Sequence, residues 1–153
     1  MLNLDDLKTI KETTKEFFEK TTFEVEIVIH PQKEQTISID LKTEEPKILI
    51  GERGQTLSEI QRLLKSILRK KIKEPFYIDL DINDYKKKKT DYLKELARSV
   101  ADEVVLTKKE KTLAPMQAYD RRIIHLELAG RNNVTTESIG REPERRIVIR
   151  PYP

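Results

Sequence analysis

Two short stretches of this chain combine residue types and spacings suited to holding an anion. The first is Gly51-Glu52-Arg53-Gly54, which takes two of the only four glycines among 153 residues. Glycine tolerates positive φ and lets a backbone approach a phosphate closely, and the free N–H groups of a following helix would face that phosphate. A plain tight turn between two helices uses glycine in the same way, so spacing alone leaves both uses open. Downstream, Arg62, Lys65 and Arg69 recur on one side of a helical pattern, as either a phosphate track or a solvated face. The second stretch is Arg121-Arg122-Ile123-Ile124-His125, in which Arg121 and His125 are four apart and share one helix face. A guanidinium beside an imidazole makes a compact anion site; a surface arginine above a core histidine has the same spacing.

Other arrangements carry less chemistry. Asp79 and Asp81 alternate along a strand pattern and share a face, which is the beginning of a magnesium site for a metal-dependent nuclease. An exposed strand face reads the same way, and a hard cation needs further converging oxygens. Asp120, His125 and Ser138 have neither a nucleophile turn nor an oxyanion hole around them. The absence of cysteine excludes disulfides, thiolate zinc sites and cysteine nucleophiles. No cofactor, no metal and no catalysis are expected.

Hydrophobic periodicity supplies the elements that must position these residues. Leu4, Leu7, Ile10, Thr14, Phe17 and Phe18 predict a helix from residue 4 to about 20. Residues 23–29 and 36–41 alternate with period two and predict a β-hairpin across a six-residue loop. A short helical turn over 44–50 precedes the glycine pair. Leu57, Ile60, Leu63, Leu64, Ile67 and Leu68 then form one apolar stripe of a longer helix. Residues 76–82 predict a third strand, and Asn83-Asp84 offers a cap for a long helix running to about 106. Beyond it come a short extended piece ending at Ala114-Pro115, a helix over 116–129, and strands over 134–139 and 146–149 joined through Gly140-Arg141-Glu142-Pro143. The expected division is residues 1–83, a connecting helix within 84–110, and residues 111–153.

Charge divides unevenly along the chain. Residues 1–83 carry 14 basic and 16 acidic side chains, and residues 84–153 carry 16 and 11, so the net charge of +3 comes from the second half. Lys86 to Lys89 there either attract phosphates or simply solvate a helix face. Hydrophobic residues make up 37% of the chain, clustered well enough for two modest cores. Apolar runs such as Ile48-Leu49-Ile50 fall far short of the roughly 20 residues a membrane-crossing helix needs. The first residues show no basic-then-apolar leader. The expectation is no membrane insertion, no export and a cytoplasmic location.

Within an αββααβ order, the Gly51–Gly54 loop between two helices resembles a KH domain of the type II topology, whose loop clamps about four nucleotides by their backbone. Ala114-Pro115-Met116-Gln117-Ala118-Tyr119-Asp120-Arg121-Arg122-Ile123-Ile124-His125, with Val134-Thr135-Thr136-Glu137-Ser138 and Glu144-Arg145-Arg146-Ile147-Val148-Ile149, looks like the R-three-H domain, named for its Arg-x-x-x-His motif. The two in this order are similar to the bacterial Jag family, also called KhpB, over residues 17–149. The resemblance implies an α+β chain in which a type II KH domain is joined by a long helix to a small α/β R-three-H domain. It implies non-catalytic binding of single-stranded RNA, or single-stranded DNA, in post-transcriptional control, RNA chaperoning and regulation of cell-envelope growth. By it, Gly51, Glu52, Arg53 and Gly54 act as the KH loop, with Arg62, Lys65 and Arg69 extending the track. Arg121 and His125 hold a second stretch of backbone, with Lys86 to Lys89, Arg145 and Arg146 adding field among the RNA-binding residues. Glu52 departs from the many KH loops that are basic at both variable positions. A small single-KH protein partner and a homodimer are further implications, and the chain is expected to lack the N-terminal domain and basic linker that many members carry. Glu52 and the acidic balance of residues 1–83 also support a competing expectation, a protein-interaction or dimerisation module with incidental RNA contact.

Overall fold

Asn3 sets where the first helix begins. Its side chain accepts from the Asp6 N–H at 2.8 Å while the Asp6 carboxylate accepts from the Asn3 N–H at 3.1 Å, a reciprocal cap on α1 (Leu4–Glu19). In the computed structural model, which describes residues 1–153, the chain continues through β1 (Glu26–Ile29), β2 (Thr36–Lys42), α2 (Pro46–Ile50), α3 (Gln55–Arg69) and β3 (Tyr77–Ile82). This is the αββααβ order read from the sequence. β1 starts three residues later than the alternation suggests, because its partner ends opposite Glu26 at Lys42. Phe23 and Val25 pack on the core without joining the ladder.

The first sheet has the order β1-β2-β3, with β1 antiparallel and β3 parallel to β2. Parallel neighbours require a crossover, here made by α2 and α3, and that puts the Gly51–Gly54 turn at one end of the sheet. Ile37, Ile39 and Leu41 of β2 are fully buried and meet Leu80 and Ile82 of β3, Ile10 and Phe18 of α1, and Leu64 and Leu68 of α3. The apolar stripe of α3 is narrower than its sequence suggests, since Leu63 is 52% exposed.

β3 lies at the sheet edge, and side chains cover its open N–H groups. Leu80 N–H donates to Gln61 Oε1 of α3 at 2.9 Å, and Ile82 N–H donates to the Asp81 carboxylate at 2.9 Å. The same carboxylate accepts from the Lys86 N–H at 3.2 Å and so caps α4 (Tyr85–Thr107). Asn83, expected to help cap this helix, instead clips the end of β2. Its side chain donates to Thr43 O at 2.8 Å and accepts from Thr43 N–H at 3.0 Å, with its backbone at φ 49°.

The chain forms two units, Met1–Lys86 and Lys87–Pro153. The second adds β4 (Lys111–Thr112), α5 (Ala118–Leu128), β5 (Val134–Ile139) and β6 (Arg146–Pro151) to most of α4, with an antiparallel sheet in the order β4-β6-β5. The sequence suggested that 84–110 connects two modules. In the structure Leu93, Ala97, Val100, Ala101 and Val104 of α4 are buried with Ile124 and Leu128 of α5 and Ile147 and Ile149 of β6. α5 begins at Ala118, because the Met116 N–H is already bonded to Arg145 O. No helix is long and apolar enough to cross a membrane. Leu64→Ala, which empties a fully buried position on the helix behind the glycine turn, is expected to cost about 2–5 kcal/mol in urea-unfolding measurements.

Candidate nucleic-acid interface

The Gly51–Gly54 turn is held open by its backbone angles. Gly51 has φ 76° and ψ −179°, Arg53 sits at φ 56° and ψ 22°, and Gly54 at φ 77° and ψ 14° starts α3. Three residues of a four-residue turn thus have positive φ, where side chains other than glycine are strained. Close packing adds a second reason for glycine. A Cβ on Gly51 would lie 2.1 Å from Thr56 Oγ1, and one on Gly54 would lie 3.0 Å from the Tyr85 ring. Gly54 offers no side chain to cap α3; the Gly54 and Gln55 N–H groups donate back to Gly51 O and Glu52 O, and Glu52 and Arg53 between them are exposed. A glycine turn at the positive end of a helix dipole suits a phosphate.

Arg62, Lys65 and Arg69 lie along one side of α3. Arg62 and Arg69 are exposed, while half-buried Lys65 has its Nζ 4.7 Å from the centroid of the Tyr77 ring at the start of β3. None of the three forms an ion pair. Lys8 and Lys15 of α1, by contrast, sit 3.9 Å from Glu12 and Glu19, carboxylates one turn away.

The acidic pair on β3 is committed elsewhere. Asp79 takes the Lys86 ammonium at 2.5 Å, and Asp81 caps α4. Burial pushes the Asp81 carboxyl above its ordinary value, opposed by the Ile82 and Lys86 N–H groups and the Lys86 charge. No cluster of three or more metal-ligating side chains converges there. The lysine run is likewise divided. Lys86 serves Asp79, and Lys89 meets the buried Asp120 at 2.9 Å, while Lys87 and Lys88 are exposed.

In the second unit Arg121 and His125 lie one turn apart on α5 and differ in exposure. Arg121 is buried, and its guanidinium donates to Met116 O at 2.6 Å and pairs with Glu142 at 2.9 Å, bracing the chain before α5 against the β5–β6 loop. His125 is exposed, with Nδ1 2.6 Å from Thr136 Oγ1 of β5, which fixes the ring and leaves Nε2 for a ligand. Arg122, between them in sequence, is exposed. Arg145 donates to Gly140 O at 2.7 Å and to Ser138 O at 3.3 Å. Arg146 donates to Glu144 O at 3.0 Å, so both arginines brace their own hairpin. Arg150 pairs with Glu110 and Glu137, which raise its pKa further. Sequence reasoning had no role for Tyr85, Thr136 or Gln61. Only an aromatic residue three positions beyond β3 hinted at the first, and nothing local signalled the other two.

The KH-domain model matches residues 8–90, and the R-three-H-domain model matches residues 91–151. The chain is 34% identical over 139 residues to the RNA-binding protein KhpB of Clostridium symbiosum, covering 90% of this chain and 63% of that protein. It is 36% identical over 112 residues to its namesake in Lactiplantibacillus plantarum, covering 73% and 35%. It is 33% identical over 120 residues to that of Bacillus subtilis, covering 77% and 58%. The chain thus spans between 35% and 63% of the length of these relatives.

Two substitutions separate scaffold from surface. Gly51→Ala is expected to lower stability by about 2 kcal/mol or more, through positive φ and the Thr56 overlap. Arg121→Ala is expected to cost about 1–3 kcal/mol by removing a buried guanidinium's bond to Met116 O and its pairing with Glu142, whereas Arg122→Ala leaves stability within about 0.5 kcal/mol. Thermal unfolding monitored by circular dichroism checks both.

Proposed function

We propose that this chain, which belongs to the KH-domain family and continues into an R-three-H domain, binds single-stranded RNA without catalysis. The observation that carries the reading is the glycine turn. It begins a helix with glycines at positive φ, where a Cβ would overlap Thr56 at Gly51 and crowd the Tyr85 ring at Gly54. Its relatives are named RNA-binding proteins, which supports RNA as the ligand. The turn would take the phosphates while bases lie along the side of α3 facing the edge of β3.

A second stretch of backbone would meet His125 in the second unit. Its cationic neighbour there is Arg122 in preference to Arg121, since Arg122 is exposed and Arg121 is spent on Met116 and Glu142. Arg145 and Arg146 contribute field from their braced positions. Two weak sites on one chain raise apparent affinity through effective concentration. A cytoplasmic post-transcriptional regulator or RNA chaperone, assembling with a small single-KH partner or with a second copy of itself, fits this reading. Exposed Glu52 and the acidic balance of residues 1–83 favour the protein-interaction alternative.

Arg53→Asp tests the loop, because aspartate tolerates the left-handed backbone while reversing the charge. Fluorescence anisotropy on a labelled single-stranded RNA is expected to show at least tenfold weaker binding. The slope of log affinity against log salt should fall by about 0.7 for the lost phosphate contact. Binding that ignores both salt and Arg53 would favour the interaction module.

A further inference from the structure

Tyr77 is not explained by the fold. It opens β3 on the solvent side, 55% exposed, between inward Phe76 and Ile78, and its phenol contributes nothing to the first core. Its backbone does the structural work, the Tyr77 N–H donating to Gln35 O at 2.7 Å. Any residue can supply that bond.

What surrounds the ring is chemically specific. Lys65 Nζ sits 4.7 Å from the ring centroid, within the range of a cation–π contact. Lys65 in turn has Arg62 three residues before it and Arg69 four after, so the three cations form one row on α3. No carboxylate pairs with any of the three. The nearest acid along the outer face of β3, Asp79, is neutralised by Lys86, and Glu59 accepts a bond from Gln55. An exposed aromatic face next to an uncompensated basic row is complementary to a nucleotide, which presents a π-face and a phosphate together.

Resting on the reading of this chain as an RNA binder, we propose that Tyr77 is a base-stacking platform and that Lys65 and Arg69 hold the phosphate of the stacked nucleotide. This subsite differs in kind from the glycine turn, which grips backbone alone. It also lies at the other end of α3, eleven residues beyond Gly54, about 16 Å along the helix. Lys65 covers one face of the ring, and the base takes the other. Stacking tolerates any base, so the subsite adds affinity and footprint more than sequence preference.

The test uses the full chain and one labelled single-stranded RNA. Tyr77→Ala is expected to weaken binding about tenfold with an unchanged thermal midpoint, and Tyr77→Phe, which keeps the ring, to bind within about twofold of the parent. Because the chain has no tryptophan, Tyr77→Trp installs a single fluorophore at the proposed contact, and its emission should be quenched as RNA is added. If the parent binds RNA while Tyr77→Ala binds equally well, or the Tyr77→Trp emission is unmoved at saturation, the platform is wrong and the glycine-turn site stands. If the parent binds no RNA, both fall together.

Discussion

The Tyr85 ring rests 3.0 Å from where a side chain on Gly54 would begin, and the exposed backbone of the turn depends on that contact. With the Tyr85 ring against Gly54 and Thr56 against Gly51, both glycine positions are crowded, and Glu52 and Arg53 between them are exposed. Tyr85 is placed by its helix, and its helix is placed by Asp81, whose carboxylate caps α4 at some cost in burial. The geometry offered to a ligand is therefore set by packing on the side away from it.

Cations in this chain fall into two groups according to whether a partner has claimed them. Arg121, Arg145, Arg146, Arg150, Lys86 and Lys89 hold carboxylates or carbonyls and stabilise loops and helix starts. Arg62 and Arg69 keep their charge in solvent, as do Arg122, Lys87 and Lys88. Only the second group can exchange counterions for phosphates without first breaking a protein contact. By that distinction the contact proposed for the second unit falls on His125 and Arg122, beside a bracing Arg121.

The order of elements was legible because period-two and three-to-four spacings are local. Ile27 and Ile29, or Leu57, Leu64 and Leu68, declare their element and inward face without knowledge of the rest. Boundaries that depend on a partner strand were not legible, which is why β1 starts at Glu26 instead of residue 23. The glycine turn could be located from sequence, yet the neighbour that crowds Gly54 is Tyr85, thirty-one positions beyond it. Spacing put Arg121 and His125 on one helix face and could say nothing of Glu142, whose approach from a distant loop turns Arg121 into a brace. Asp79 and Asp81 showed the same limit, since their commitments to Lys86 arise only after β3 meets α4.

The most direct measurement is a titration of the nitrogen-labelled full chain with a short single-stranded RNA, followed through every backbone amide by NMR. Saturable shifts that centre on residues 51–56 and on the α3–β3 edge, with a second group around His125 and Arg122, are the predicted result. Saturable binding that leaves the amides of 51–56 unmoved, or no shifts at any RNA concentration, would contradict the claim that this turn is where nucleic acid is held.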